Sequence, residues 1–318
     1  MLARALATAA LAVAGAACGG NVPAGPVGPS HAPVTIGAAY LETVLATMSA
    51  NSVNRQRIDW PRFNAEVRAA AVNVRDIADT TPALRVALGL LGDGHSFFQW
   101  ANGETLANPA APDCRADTGG ASNIPLDVGY LAVRGLFGAN APSPQSYADG
   151  LQAAIEAQDR HGLAGWIVDV RGNGGGNMWP MIGGLAPLLG SETAGFFARP
   201  GGVMVPWRPA GRGVSLRQPH PRVAVLTGRA TASSGEAVVV AFRGRPDSRS
   251  FGEATCGLPT SNSAFALSDG STLWLTTALD ADRHARTYSG PIVPDEAVSS
   301  SAVVARAIDW LRGSSRAP

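Results

Sequence analysis

The sequence predicts an α/β protein with a helical N-terminal subdomain, and three observations carry that prediction. Between residues 38 and 92, apolar side chains recur at helix spacing with no strand signal between them. From Val128 onward, short strand-like runs alternate with helical stretches. Two of those runs, 165–170 and 222–227, are apolar almost throughout, as expected of parallel strands covered on both faces.

Each element has its own signal. Tyr40, Leu41, Val44, Leu45 and Met48 mark a first helix. A second fits Trp60 to Val72, with Pro61 placed early, where its missing N–H costs nothing. A third fits Pro82 to Leu91, with Asp79 or Thr80 as its cap and Gly92 as its stop. Residues 101–124, rich in Asn, Pro, Ala and Gly, are expected to be a loop. A strand follows at Val128–Val133, a helix at Tyr147–His161, a strand at Gly165–Val170 and a helix at Met178–Leu189. Next come a strand at Arg222–Thr227, a helix from about Ser233 to Phe242 and a short extended stretch at Ser250–Glu253. Ala264–Leu267 and Thr272–Thr277 flank Ser268-Asp-Gly-Ser271, a hairpin turn signal. Val303, Val304, Ile308, Trp310 and Leu311 place a closing helix over 300–313.

The chain has 318 residues and no lysine, so all 25 basic side chains are arginine. This removes Schiff-base, phosphate-loop and general-base lysine chemistry. A net charge of +1 provides no field to gather nucleic acid or an anionic membrane. Three scattered cysteines and five scattered histidines offer no metal-ligand spacing, and neither a metal nor a cofactor is expected. A hydrophobic fraction of 46% with 38 glycines and 23 prolines describes a loop-rich globular protein.

Residues 1–17 are expected to form an export signal, with Arg4 as the only charge before an apolar run too short to span a bilayer. The run ends in Gly15-Ala16-Ala17-Cys18, which resembles a bacterial lipoprotein cleavage site and would place lipid on Cys18; Gly15 stands where that pattern carries a larger aliphatic residue, and plain secretion is the alternative. The protein is thus expected to be exported, and any membrane association to run through that anchor. A tether over 18–35, a helical subdomain over 36–98 and a core domain over 99–318 complete the expected organisation. Cys114 and Cys256 either pair in an oxidising compartment or remain two unpaired core residues.

Three segments carry chemistry. Thr227-Gly-Arg-Ala-Thr-Ala-Ser233-Ser-Gly-Glu236 runs from a buried strand through a small-residue turn into a helix. A serine there meets the positive end of the helix dipole and free backbone N–H groups that can hold an oxyanion. The same Ser233-x-x-Glu236 spacing also matches a capping box. Asp169-Val-Arg-Gly-Asn-Gly-Gly-Gly176 follows another strand, and its glycines can expose N–H groups as an anion nest or oxyanion hole. Leu91-Gly-Asp-Gly-His95-Ser-Phe-Phe98 places one histidine between glycines and aromatics; His31, His161, His220 and His284 lie in tether, helix-end, loop and turn settings.

In this order, the segments GDGHSFF (92–98), VGYLAV (128–133), WIVDVRGNGGG (166–176), VAVLTGRATASSGE (223–236), FGEATCGLPTSN (251–262) and GPIVPD (290–295) resemble the tail-specific or C-terminal processing protease family. That resemblance covers about 36–298 and implies a crotonase/ClpP-like ββα spiral. It also implies Ser233 as nucleophile, with the N–H groups of Ser234 and a glycine of 174–176, Gly175 first, as the oxyanion hole. Many members use a lysine just after the glycine of a G-E-x-T-x-G stretch, where this chain has Leu258. With no lysine and with arginine unable to give up its proton, the tricorn-like branch supplies the alternative base, which is His95 here. The group orienting His95 stays open among Glu253, Asp93, Asp127, Asp280 and Glu236; where tricorn-like members place a glutamate, this chain has Thr287-Tyr-Ser289. Only the stretch between Phe98 and Leu126 separates the histidine segment from the VGYLAV strand, too little for the family's PDZ domain, and the N-terminal helices are expected to cover the cleft instead. The expected protein is an exported serine endopeptidase acting on peptides or unfolded proteins. A catalytically silent ligand-binding protein and a small-substrate esterase or amidase are the alternatives.

Overall fold

The computed structural model describes residues 35–114, 121, 123–138 and 140–313. The expected signal, the tether up to residue 34, the lipidation site Cys18 and His31 lie outside the described residues, and Thr35, the last residue of the expected tether, caps α1. Thr35–Pro318 forms one compact unit. Its elements are α1 (Ile36–Asn51), α2 (Trp60–Ala69), α3 (Thr81–Leu90), β1 (Phe97–Gln99), β2 (Thr105–Leu106), β3 (Val128–Ala132), α4 (Pro144–Gln158), β4 (Gly165–Asp169), α5 (Met178–Gly184) and α6 (Ala186–Leu189). There follow β5 (Gly195–Arg199), β6 (Val203–Trp207), β7 (Val223–Thr227), α7 (Ser234–Phe242), β8 (Ser248–Gly252), β9 (Thr260–Ala266), β10 (Thr272–Ala281), β11 (Glu296–Ala297) and α8 (Val303–Leu311).

Five strands form a parallel sheet in the order β11-β8-β7-β4-β3. Every residue of β4 and β7 is buried. One face packs under Ile155 of α4, Met181 and Ile182 of α5 and Val238–Phe242 of α7. The other packs under Val303, Ala307, Ile308 and Leu311 of α8. Trp166 of β4 lies flat over Gly129 of β3, where a Cβ would come within 2.3 Å of its ring, so the glycine is what admits the indole.

The second sheet is antiparallel, in the order β2-β1-β10-β5-β6, with β9 also paired to β10. Its core is shared with the N-terminal helices. Phe98, Leu273 and Leu275 pack with Val44, Met48, Leu84 and Leu88.

Most expected elements form, with adjusted ends. The second helix stops at Ala69, three residues before Val72. The stretch Met178–Leu189 is two helices because Leu185 departs from helical geometry between Gly183-Gly184 and Pro187. Of the caps expected at Asp79 or Thr80, Thr80 takes the N-cap position of α3 without a side-chain cap bond: a 3-10 turn (Ala78–Thr80) leads into the helix, and the Asp79 carboxylate accepts from the N–H groups of Arg75 and Asp76. The loop 101–124 contains the short β2.

Candidate active site

Ser233 stands between β7 and α7 at φ 51° and ψ −118°, a conformation that favours glycine. Two features force it. The N–H of Ser233 donates to Glu236 Oε2 at 2.9 Å, the carboxylate half of the expected capping box. Behind it, the loop from β4 presses close: a Cβ on Gly175 would lie 2.9 Å from Ser233 Cβ and 3.3 Å from Ser233 Oγ. Gly175 has a φ of 113°, so both the space and the backbone require glycine. Ser234 is different. It is buried, and its hydroxyl donates to the Gly176 carbonyl at 2.5 Å. Of the two adjacent serines, only Ser233 has no such commitment to a loop carbonyl.

The glycine loop is anchored on a buried ion pair. Arg171 forks onto Asp169 at 2.9 and 2.6 Å, and the Tyr130 hydroxyl donates to the same carboxylate at 2.8 Å. Buried Asn173 links this loop to the serine turn, its carbonyl accepting from Ala232 N–H at 2.9 Å and its Oδ1 from Gly175 N–H at 3.0 Å. Ser234 opens α7, so its N–H has no acceptor within the helix.

A strap, residues 255–260, runs from the serine turn to the histidine. Glu236 is fully buried and gathers one end, accepting from the Thr255 hydroxyl, from Gly257 N–H at 3.0 Å and from Leu258 N–H at 2.7 Å. Burial pushes the Glu236 carboxyl up to about 7, against the lowering effect of these donors. At the other end, Thr260 Oγ1 lies 2.7 Å from Nδ1 of His95. Asn262, two residues along β9, donates to the His95 carbonyl at 3.0 Å. The histidine loop is closed by Asp93, which accepts from the N–H groups of His95 and Ser96 and from the Ser96 hydroxyl. Burial drives the His95 imidazole down to about 4, with the Asp93 charge opposing.

None of the five carboxylates expected to compete for His95 is hydrogen-bonded to its ring, whose partner is Thr260. Glu236 serves the strap and Asp93 its own turn. Asp127 forks to Arg312 at 2.7 and 2.9 Å on the surface. Asp280 is buried, its two oxygens meet no partner among the described residues, and desolvation followed by the Glu236 charge holds it well above the usual carboxylate range. Glu253 contributes its carbonyl to the Thr227 hydroxyl. Thr260 is not among the expected orienting groups, which are all acids; its place in FGEATCGLPTSN is the available signal.

Cys114 and Cys256 form a disulfide with Cα atoms 5.2 Å apart. Cys256 is a strap residue, and its N–H donates to Thr231 O at 2.8 Å. The described residues contain no cluster of His, Cys, Asp and Glu suited to a metal ion, and no helix among them is long and apolar enough to cross a membrane.

Comparison with known proteins places this geometry. The sequence model of peptidase family S41 matches residues 127–298, more than half of the chain. The chain belongs to peptidase family S41. This S41 serine peptidase is 26% identical over 288 residues, 86% of either chain, to the nisin-resistance protein of Lactococcus lactis subsp. lactis. Its fold is similar to that of a lipoprotein from Streptococcus agalactiae, with a TM-score of 0.72 and 24% identity over 90% of this chain and 99% of the other. It is also similar to a putative peptidase from Parabacteroides merdae (TM-score 0.64, 17% identity, 89% and 100% covered). The photosystem II D1 C-terminal processing protease shares the fold at a TM-score of 0.60 and 15% identity, over 85% of this chain and 95% of that one. An α/β core with a helical N-terminal region is therefore the architecture of this S41 peptidase.

Proposed function

We propose that this S41 peptidase is an exported endopeptidase that uses Ser233 as nucleophile and His95 as general base. The observations that support the assignment are Ser233, held at positive φ against Gly175, and the strap 255–260, which Glu236 ties to the serine turn and Thr260 ties to the His95 ring. His95 Nε2 takes the proton of Ser233 Oγ as Oγ attacks the scissile carbonyl. The Ser234 N–H provides one oxyanion donor. The second donor is the Gly175 N–H, which must leave or share its bond to Asn173 Oδ1 to reach the oxyanion. Collapse expels the amine with the proton carried by His95, and water activated by the same nitrogen releases the acyl group.

Export is favoured by the apolar segment that ends at Cys18 and by the Cys114–Cys256 disulfide, which persists in oxidising compartments. A lipid on Cys18 agrees with similarity to a streptococcal lipoprotein. The name of the lactococcal relative makes nisin the first peptide to try. Labelling by a fluorophosphonate probe is expected to vanish in Ser233→Ala and persist in Ser234→Ala; labelling that survives Ser233→Ala sinks the assignment. Faster turnover of a nitrophenyl ester than of nisin or unfolded casein would instead favour a small-substrate esterase.

A further inference from the structure

We propose that Thr260 is the positioning residue for His95, a neutral hydroxyl taking the place where an orienting carboxylate was expected. This rests on the assignment of His95 as general base.

The placement follows from strand register. Thr260 opens β9, and β9 pairs with β10 from Thr260↔Leu279 to Ala266↔Thr272. The same β10 pairs with β1, which begins two residues after His95. Successive side chains in a strand alternate between faces, so Thr260 and Asn262 point to the same side. One meets the imidazole of His95 at 2.7 Å and the other its carbonyl at 3.0 Å. Asn262 is itself fixed, its Oδ1 accepting from the Thr276 hydroxyl at 2.8 Å. On the opposite side of Thr260, Pro259 O accepts from Asp280 N–H at 2.9 Å, and Leu258 N–H is held by Glu236. The hydroxyl is therefore carried on a segment fixed at both ends.

Chemistry decides which atom donates. A hydroxyl can give or receive one hydrogen bond with a ring nitrogen. If Thr260 donated to Nδ1, the imidazole proton would sit on Nε2, and the nitrogen needed to accept the Ser233 proton would be blocked. If Nδ1–H donates to Thr260 Oγ1, Nε2 keeps its lone pair. That bond also survives when Nε2 takes the proton, since both nitrogens then carry hydrogen, so nothing must turn during the cycle. A neutral partner fixes the orientation of the ring without adding a negative charge that would raise its basicity, and the tautomer follows from the need to leave Nε2 free to accept.

The tests are the Nδ1/Nε2 protonation of His95, read from 15N chemical shifts of full-length protein and assigned with His95→Gln, and the rate of fluorophosphonate labelling. The wild-type ring is expected to carry its proton on Nδ1. Thr260→Val is expected to lose that preference and to label about tenfold more slowly, the scale of one neutral hydrogen bond. Thr260→Ser is expected to restore both. A wild-type ring protonated on Nε2 overturns the proposal whether or not any variant folds. So does Thr260→Val that keeps the wild-type tautomer and rate. Labelling that persists in His95→Gln at the wild-type rate would instead remove the His95 assignment itself, which keeps the two failures apart.

Discussion

Ser233 leaves a parallel sheet whose two central strands are wholly buried, and its backbone is gripped by Glu236 from one side and pressed by Gly175 from the other. His95 sits on a glycine-bracketed loop beside the antiparallel sheet, where its ring rests on one hydroxyl and its carbonyl on one amide. The serine side is fixed by packing and by buried backbone bonds. The histidine side is fixed by side-chain contacts, those of Asp93 within its own turn and those of Thr260 and Asn262 from β9. A substitution around the serine should therefore disturb folding and chemistry together, whereas one around the histidine should disturb chemistry alone.

The sharpest way to break that contrast is at the two reacting groups. Ser233→Ala is expected to lower peptide cleavage by about 10⁴–10⁶-fold, the range for loss of a serine nucleophile. His95→Ala is expected to lower it by about 10²–10⁴-fold with a melting temperature within a few degrees of wild type. A large fall in melting temperature there would show that the histidine side is as deeply built as the serine side. Next is the bridge between the 101–124 loop and the strap. Reduction or Cys114→Ser opens a loop of 142 residues, which by chain entropy costs about 2–5 kcal/mol, measurable by denaturant unfolding. A smaller effect is expected in pH. With His95 as the proposed base, drawn down to about 4 by burial, its own titration should remove cleavage only through about pH 4, and any fall already seen near pH 7 belongs to Glu236, which burial raises to about 7. An acid limb near 6.5 would mean a solvated, unrestrained ring. The sign for stability is the same: the unfolded chain takes up a proton at His95 near 6.5 and the folded chain does so only near 4, so this group costs stability as pH drops between those values. Smallest is Ser233→Gly, which relieves the positive φ and should raise stability by about 1 kcal/mol while abolishing cleavage.

The buried strands of the parallel sheet and the β9–β10 hairpin of the antiparallel sheet are legible in sequence, whereas β1, β2, β5, β6 and β11 are not. Strands β4 and β7 are buried on both faces, so they read as unbroken apolar runs. Strands β5 and β6 went unrecognised. They are half-exposed, meet at Gly201-Gly202, and Pro206 lies within β6 on the sheet edge. The three residues of β1 are too few to show alternation. At the site, Ser233, Ser234, Gly175 and His95 could be named because six segments in order resemble those of the processing-protease family; local context alone also fits a capping box at Ser233. Thr260 could not, since a threonine 165 residues from its histidine is defined by the register of β9 on β10 and by nothing local. The disulfide was one of two open readings, because two cysteines so far apart say nothing of distance in space.

The serine turn has a further consequence in evolutionary time. Ser233, the proposed nucleophile, is held at φ 51° in a backbone conformation that its own side chain resists and that glycine adopts freely. Selection for stability alone would replace it by a single residue change and lose catalysis in the same step. Only continued demand for peptide cleavage opposes that drift. Descendants released from the demand should keep the scaffold and the glycine loop while showing glycine at this position, and they would be the more stable proteins for it.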